Sequence, residues 1–273
     1  MTGRIPQFAV EKLCILRYHR IYRKKAENRG ENAMGETKLT FKRYEKKYLL
    51  SPERYAALRQ QLDEHIVPDV YFKSTVCSIY YDSDDYQLIR HSIEGPVYKE
   101  KLRVRSYNVP GPDDTVFVEL KKKYKGIVYK RRVTMSAVQA ADYLAGKCPP
   151  PEVSQITREI DWFLHENQTA PKVFIACDRA AYVAKDNPEL RITFDHDIRW
   201  RETELDLCAG SHGELVIAPG QVLMEIKIPG AAPLWLAHML SELSLFPTGF
   251  SKYGTCYKTA LLEKYFNGVI SCV

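Results

Sequence analysis

The sequence predicts an α+β fold in which a mostly antiparallel sheet carries flanking helices. From residue 38 onward, short stretches alternate apolar and polar residues, which is the period of a half-buried strand. Most of these stretches follow one another through short turns, and short turns connect antiparallel strands. Segments with a helical period occur near the start, in the middle and at the end of this region.

The predicted elements begin at Lys38. The first strand, KLTFKRYEKKYLL, leads into the helix SPERYAALRQQLDEHI, with Ser51 as N-cap and Pro52 as its first residue. Four strands follow: TVCSIYYD, YKEKLRVRSYN, TVFVELKKKYKG and IVYKRRVTM. Two helices, SAVQAADYLAG and VSQITREIDWFLHEN, flank a break at Pro149–Pro151. The last strands are KVFIACDRAAYVA, LRITFDHDIRWRE, GELVIAP and QVLMEIKIPG, before the helices PLWLAHMLSEL and SKYGTCYKTALLEKYF. HSIEGPVY is predicted to be a hairpin turn.

Composition and charge narrow the class of protein. Hydrophobic residues make up 45% and charged residues 27% of the 273 residues, which is ordinary for a globular chain. No run approaches the roughly 20 apolar residues of a membrane helix, and the first residues lack a signal-peptide core, so we expect a cytoplasmic location. The cysteines form no CxxC pair, which argues against a thiolate zinc site.

The net charge of +6 is concentrated at one end of the chain. Residues 1–33 carry +5 of it and end in the polar run ENRGENA, just before Met34. This segment has three interpretations: a disordered basic arm, a helix on the body or on a membrane surface, or the product of an upstream start codon. The first and third are favoured. We therefore predict a basic extension over residues 1–33 and a nearly neutral domain over residues 34–273.

Within this domain, the predicted strands separate charged from apolar residues. Residues two apart share one face of a strand. YKEKLRVRSYN thus places cations on one face, with Leu102 and Val104 on the other. The charged faces consist of Glu45 and Lys47; Lys99, Lys101, Arg103 and Arg105; Glu119, Lys121 and Lys123; Lys130 and Arg132; Arg191, Thr193, Asp195 and Asp197; and Glu225 and Lys227.

Two arrangements explain such faces. In the first, the charged face is the solvated side of a sheet that packs on helices. In the second, the sheet closes on itself and the charged faces surround a polar channel. Enclosed cations require an anion, and Arg and Lys side chains match phosphate oxygens. A few carboxylates among them would suit a divalent cation that bridges phosphates. A polyphosphate chain with its metal accounts for all three residue types.

Six of these motifs together resemble a known family. RYEKKYLL, YKEKLRVRSY, VFVELKKK, RITFDHDI, VLMEIKIPG and FSKYG occur in the order and spacing of the VTC domain, over roughly residues 38–260. This is the polyphosphate polymerase domain of the triphosphate tunnel metalloenzyme superfamily. The resemblance implies an antiparallel β-barrel tunnel with flanking helices that binds triphosphate or polyphosphate with Mn²⁺ or Mg²⁺. It also implies transfer of the γ-phosphate of ATP to a growing polyphosphate chain.

The resemblance also implies roles for individual residues. The expected catalytic residues are Lys47, Arg103, Arg105, Lys121, Arg179 and Lys252. Glu225 is similar to the family's metal-binding glutamate, and Ser251 with Lys252 to the pair that closes the tunnel. The expected substrate-binding residues are Glu45, Lys101, Glu119, Lys130, Arg132, Arg191, Lys227 and Ser251. Cys177 and Gly249 stand where some members have tyrosine and lysine. Both differences weaken the inference of full polymerase activity from the resemblance, and neither residue belongs to the expected binding set.

Three functions remain open from the sequence. A phosphate nucleophile needs no general base, and the expected partners are then ATP and polyphosphate. If water attacks instead, Glu45 or Glu119 is the candidate base and the protein is a triphosphatase; alternatively, both glutamates only pair with neighbouring cations. A non-catalytic polyphosphate sensor would keep the cations without needing Glu225. No specific nucleic-acid partner is expected, because the body is nearly neutral. The sequence shows no membrane-protein partner and leaves the oligomeric state open.

Overall fold

A computed structural model describes residues 44–125 and 127–264, and the predicted boundary between residues 33 and 34 lies outside them. The strands are β1 (Tyr44–Leu50), β2 (Ile66–Asp82), β3 (Tyr98–Tyr107), β4 (Thr115–Tyr124), β5 (Ile127–Ser136), β6 (Ala170–Ala184), β7 (Arg191–Arg201), β8 (Glu214–Leu215) and β9 (Val222–Ile228). The helices are α1 (Pro52–Leu62), α2 (Gln87–Ile93), α3 (Ala137–Leu144), α4 (Gln155–Asn167), α5 (Leu234–Glu242) and α6 (Lys252–Cys256). A 3₁₀ turn spans Leu207–Ala209, and a π-helical turn, Tyr257–Leu261, follows α6.

All nine strands belong to one antiparallel sheet, which confirms the predicted α+β class. Its order is β1-β9-β7-β6-β2-β3-β4-β5, and the two-residue strand β8 pairs with β7. The predicted helix starts are also present, since the side chains of Ser51, Ser136 and Ser154 cap α1, α3 and α4.

Some details differ from the prediction, and one part of it lies outside the described residues. Strand β2 begins at Ile66, where the helix SPERYAALRQQLDEHI was predicted to end and well before the predicted strand TVCSIYYD. HSIEGPVY is not a hairpin turn, because its first residues complete α2. Only Glu214 and Leu215 of GELVIAP pair as a strand. The first predicted strand is described from Tyr44 onward, and its residues 38–43 lie outside the described part of the chain.

Helices cover the apolar face of the sheet. Val104, Val118 and Phe174 are among the residues that pack with Tyr143 of α3 and Phe163 of α4. A second core lies on the same face near the β1 end of the strand order, where β1, β9, β7 and β6 pack with α1 and α5. The face that carries these two cores is therefore the outer one. The inner face carries the charged residues and, beside them, a third core in which Val173 and Ile175 of β6 pack with Ile89 of α2 and Tyr253 of α6. The interpretation of that face as the solvated side of a sheet is wrong.

The sheet curls into a tunnel-like shape but does not close through hydrogen bonds. Strands β1 and β5 end the strand order, and no ladder joins them within residues 44–125 and 127–264. The expected full closure of the barrel is thus not present. The inner faces nevertheless meet across the interior. Just before α6, Phe250 accepts a hydrogen bond from Lys47 Nζ of β1 at 3.2 Å, and Ser251 Oγ lies 3.4 Å from Lys101 Nζ of β3.

We call the space in front of the inner face the lumen. It is bounded by Glu45, Lys47, Tyr80, Lys101, Arg103, Arg105, Glu119, Lys121, Lys130, Arg132, Arg179, Asp195, Glu225, Lys227, Ser251 and Lys252.

A buried aspartate anchors the end of the chain that enters the lumen. Asp82 is fully buried and accepts hydrogen bonds from the backbone N–H groups of Ser83, Leu88 and Ile89. It also accepts one from the Tyr253 hydroxyl at 2.8 Å. Asp82 therefore holds both α2 and α6, and α6 carries Lys252.

Of the described helices, none combines the length and apolar character needed to cross a membrane.

We expect Asp82→Ala to lower the free energy of unfolding by about 3 kcal/mol, because buried donors lose their acceptor. Urea denaturation measures the change. The matched control is Asp84→Ala, whose carboxylate is 98% exposed and pairs with Lys172. The control should lower stability by less than about 1 kcal/mol. Equal losses in the two variants would contradict the anchoring role.

Candidate functional site

One buried carboxylate organises the β3–β5 wall of the lumen. Glu119 is 1% exposed and lies opposite Arg103 on β3 and Arg132 on β5. Arg103 donates to its Oε2 from Nε at 2.8 Å and from Nη2 at 2.6 Å. Arg132 donates to Oε1 at 2.8 and 2.5 Å, and Lys130 Nζ lies 2.6 Å from the same oxygen. Burial alone would raise the pKa of Glu119, but these cations together with Arg105 hold it well below its usual range.

Two further carboxylates organise the opposite wall. Asp195 on β7 is fully buried and receives two hydrogen bonds from Arg179 on β6, at 2.6 and 2.7 Å. Lys252 at the start of α6 donates to Asp195 and lies 3.4 Å from Glu225 Oε1. Glu225 on β9 also lies within 3.7 Å of Lys47, Arg179 and Lys227. These cations overcome the effect of burial and hold the pKa of Glu225 well below its usual value.

Several lumen cations have no carboxylate partner among the described residues. They are Lys101, Arg105 and Lys121. Arg105 donates to Ser78 Oγ at 3.1 Å, and Lys101 donates to Ser251 Oγ at 3.4 Å. Lys101, Lys121 and Lys130 are also direct cross-strand neighbours on β3, β4 and β5. Like charges in that position destabilise a sheet unless an anion lies between them.

The lysine pKa values reflect this crowding. Burial, together with Lys99, Lys121 and Lys47, lowers the pKa of Lys101 to about 8, although Tyr80 opposes the shift. Burial, Arg103 and Lys47 also lower the pKa of Lys121, against the effect of Glu45. Lys47 of β1 therefore acts on Lys101 of β3 and Lys121 of β4, although β1 and β4 lie far apart in the strand order. Lys121 stays accessible to solvent, so an anion can reach it.

The structure brings most of the predicted site residues together. The expected catalytic set, with Glu119, Lys101, Lys130, Arg132, Lys227, Ser251 and Glu225, lines one lumen. Glu45 lies at its edge, 3.4 Å from Lys47 and 37% exposed. Arg191 is also at the edge, but its Nη2 donates to Asp69 at 2.6 Å and its side chain is 48% exposed. Arg191 therefore belongs to an ion pair at the mouth, apart from the central cluster.

Sequence reasoning did not select two residues that the structure places in the lumen. Asp195 was part of a charged face, but its partners Arg179 and Lys252 are distant in sequence. Tyr80 packs its ring in the core and turns its hydroxyl toward Arg103. Both residues alternate with other inward-facing residues of their strands, and this alternation is the sequence signal that could have identified them. Asp197 was expected on the same face as Asp195, but it has a φ of 45° within an irregular stretch of β7 and is exposed.

Glu225 is the carboxylate of the lumen whose surroundings fit a divalent metal ion. No group of three or more His, Cys, Asp or Glu side chains within residues 44–125 and 127–264 is placed to hold a metal. One or two carboxylates are enough, however, when phosphate oxygens supply the other ligands, as is usual for Mg²⁺. Glu225 fits this arrangement. Its cross-strand neighbour Thr193 has a buried Oγ1 with no hydrogen-bond partner, which leaves an oxygen beside Glu225 for a cation or its water.

The model of the VTC domain family matches residues 42–261, which is most of the chain. The chain belongs to the VTC domain family. The match includes every strand of the lumen and the start of α6. Cys177 and Gly249, the two positions that differ from some members, lie within this VTC domain. Cys177 is buried beside Arg179, and Gly249 precedes Phe250 and Ser251.

Solved structures with similarity to this VTC domain come from several organisms. A candidate adenylate cyclase from Bacillus halodurans is 17% identical, with a TM-score of 0.49, over 76% of this chain and 92% of that chain. A candidate adenylate cyclase from Vibrio parahaemolyticus is 11% identical, with a TM-score of 0.39, over 78% and 96%. A Pyrococcus horikoshii protein is 15% identical, with a TM-score of 0.40, over 81% and 99%. A comparison with curated proteins gave no match.

We expect Glu119→Gln to lower the free energy of unfolding by about 3 kcal/mol at pH 7, because Arg103, Arg132 and Lys130 lose their shared counterion. The pKa of Glu119 is depressed in the folded state, so its contribution is present above pH 4.5 and is lost as the pH falls further. The difference from the parent should therefore shrink in acid. Urea titrations at several pH values measure it, with Glu152→Gln on the exposed surface as control. A difference independent of pH would contradict this role.

Proposed function

We propose that this VTC domain transfers the γ-phosphate of ATP to the end of a polyphosphate chain bound in the lumen, with Mn²⁺ or Mg²⁺. The observation that carries the proposal is the surplus of cations on the inner face. Lys101, Arg105 and Lys121 form no ion pair with any described carboxylate, although Glu45 and Glu119 act on Lys121 and Arg105 from a greater distance. A string of phosphates supplies closely spaced negative charge along one line, which matches cations on several neighbouring strands.

The contacts suggest how the roles are divided. Arg105 and Lys121 are available for phosphate oxygens, because no carboxylate occupies them. Arg103 and Arg179 are held by Glu119 and Asp195, so their guanidinium groups are fixed before the substrate binds. Fixed donors stabilise charge that develops on a transferring phosphoryl group without reorganising. Lys47 and Lys252 lie 3.6 and 3.4 Å from Glu225 Oε1 and would neutralise the accepting and departing ends.

The state of the glutamates supports a phosphate nucleophile over water. A general base works best with a pKa near the working pH. Cations hold the pKa of Glu119 far below neutrality, and all of its close contacts are with Arg and Lys. The pKa of Glu45 is also lowered, because Lys47 and other lysines outweigh burial and Glu225. Neither glutamate is suited to activate water, whereas an ionised phosphate oxygen needs no base. This favours the polymerase over the triphosphatase.

Glu225 is the residue proposed to share a divalent cation with the phosphates. Bound there, the metal would neutralise phosphate charge and orient the reacting groups. Glu225 itself then serves as an oxygen ligand, while Lys47, Arg179 and Lys252 keep it ionised. A cytoplasmic location, where ATP is available, belongs to the same proposal.

We expect the full chain to convert ATP with Mn²⁺ into long polyphosphate, visible on a gel, and Arg105→Gln to reduce the rate by at least about a hundredfold. Arg105 is chosen because its replacement leaves every carboxylate with its partners. Arg158→Gln, on the exposed surface of α4, is the control and should keep the parent rate. Inorganic phosphate without polymer would identify a triphosphatase. Tight binding of tripolyphosphate without turnover would identify a sensor.

Glu225→Gln tests the metal role. We expect the variant to lose Mn²⁺-dependent turnover but to bind tripolyphosphate, without metal, at least as tightly as the parent. The reason is that the substitution removes a negative charge and releases Lys47, Arg179, Lys227 and Lys252. Calorimetry measures the binding, and Glu214→Gln on the exposed strand β8 is the control. Unchanged Mn²⁺-dependent turnover would exclude Glu225 from the metal site.

A further inference from the structure

The hydroxyl of Tyr80 lies in a part of the lumen that holds mostly hydrogen-bond donors. Tyr80 is on β2, directly opposite Arg103 on β3, and is 7% exposed. Its oxygen accepts a hydrogen bond from Arg103 Nη1 at 3.3 Å. No described residue accepts the proton of the hydroxyl. The ammonium and guanidinium groups around it cannot do so while they are charged.

The ring of Tyr80 is fixed, so the hydroxyl cannot turn away to find an acceptor elsewhere. It stacks on Tyr253 with 4.8 Å between the ring centroids and an angle of 25° between the planes. Tyr253 is in turn held by its hydrogen bond to Asp82. The hydroxyl therefore stays beside Arg103 whether or not a ligand is bound. A buried O–H group without an acceptor is unfavourable, and a phosphate oxygen would provide one.

We propose that the Tyr80 hydroxyl is a phosphate-binding group of the lumen, which donates a hydrogen bond to the same phosphate that Arg103 contacts. This inference rests on the proposed phosphate-binding function, and it adds a neutral donor to a site otherwise described by its charges. The donor role requires the phenol to be protonated. A phenolate would repel the phosphate and would compete for Arg103.

The surroundings make this requirement observable near neutral pH. Burial raises the pKa of Tyr80, but Arg103, Arg105 and Lys101 reverse the effect and bring it to about 8. The groups that face Tyr80 are Lys101, Arg103 and Arg105 on β3, Lys121 on β4, and Tyr253 on α6 with its partner Asp82. Of these, Lys101 also titrates near pH 8. Its ionisation does not contribute to the absorbance of tyrosinate. Burial would raise the pKa of Tyr107, but Arg105, Arg132 and Lys130 lower it, so the step of Tyr80 is taken as the difference between the parent and Tyr80→Phe.

The test is a pH titration of the full chain, followed by tyrosinate absorbance near 295 nm, with and without saturating tripolyphosphate. We expect an early step near pH 8 in the free protein. Bound tripolyphosphate should move this step upward by at least one pH unit, because the phosphate holds the phenol in its protonated form. Tyr80→Phe should lack the step and bind tripolyphosphate about tenfold more weakly at pH 7.

Tyr81→Phe is the matched control. Tyr81 is the next residue of β2, and its ring lies in the outer core, on the other face of the sheet. This variant should keep both the early step and the affinity of the parent. If Tyr80→Phe fails to fold, the same titration of Tyr107→Phe, a change at a residue that is 46% exposed, isolates the step of Tyr80. Tripolyphosphate binding that leaves the early step in place would overturn the assignment of Tyr80 and leave the proposed function standing. No tripolyphosphate binding at all would overturn both.

Discussion

The fold depends on how it accommodates a cluster of positive charges inside a curved sheet. Transferring a charged group away from water is unfavourable unless opposite charges surround it. Glu119, Asp195 and Glu225 supply that opposite charge, each from a different strand, and each contacts two or more cations. The outer face can then be mostly apolar and pack on helices, with ion pairs such as Lys122 with Glu100 and Glu159 near its end. The carboxylates thus stabilise the fold and at the same time fix the positions of the arginines.

Much of this could be predicted from the sequence because it depends on the period of a strand. The two-residue alternation placed Lys101, Arg103 and Arg105 on one face, and only that face lines the lumen. The same period predicted the outer cores. The predicted N-cap Ser51 marks the start of α1 for an equally local reason. These features depend on residues that are close together along the chain.

The remaining features depend on residues that are far apart in sequence. Helix α2 lacks a side-chain cap at Tyr86. Ser83 Oγ accepts the N–H of Gln87 and Asp82 accepts those of Leu88 and Ile89 instead, so the usual start pattern is missing. Asp195 is defined by Arg179 and Lys252, which come from another strand and from α6. Alternation within one strand also cannot predict the irregular stretch that turns Asp197 outward. Alternation within a strand also cannot predict whether β1 and β5 pair through hydrogen bonds and close the sheet.

The division of the cations into two groups has a consequence for specificity. Arg103, Arg132 and Arg179 are bound by carboxylates and form a rigid frame, whereas Lys101, Arg105 and Lys121 have no such partner. The frame orients a ligand, and the second group supplies the unbalanced charge that attracts it. A monovalent anion could satisfy only one member of the second group and would leave the others uncompensated. An anion with several linked charges can neutralise all of them in one binding event, and this is the reason for proposing a chain of phosphates rather than single phosphate ions as the ligand.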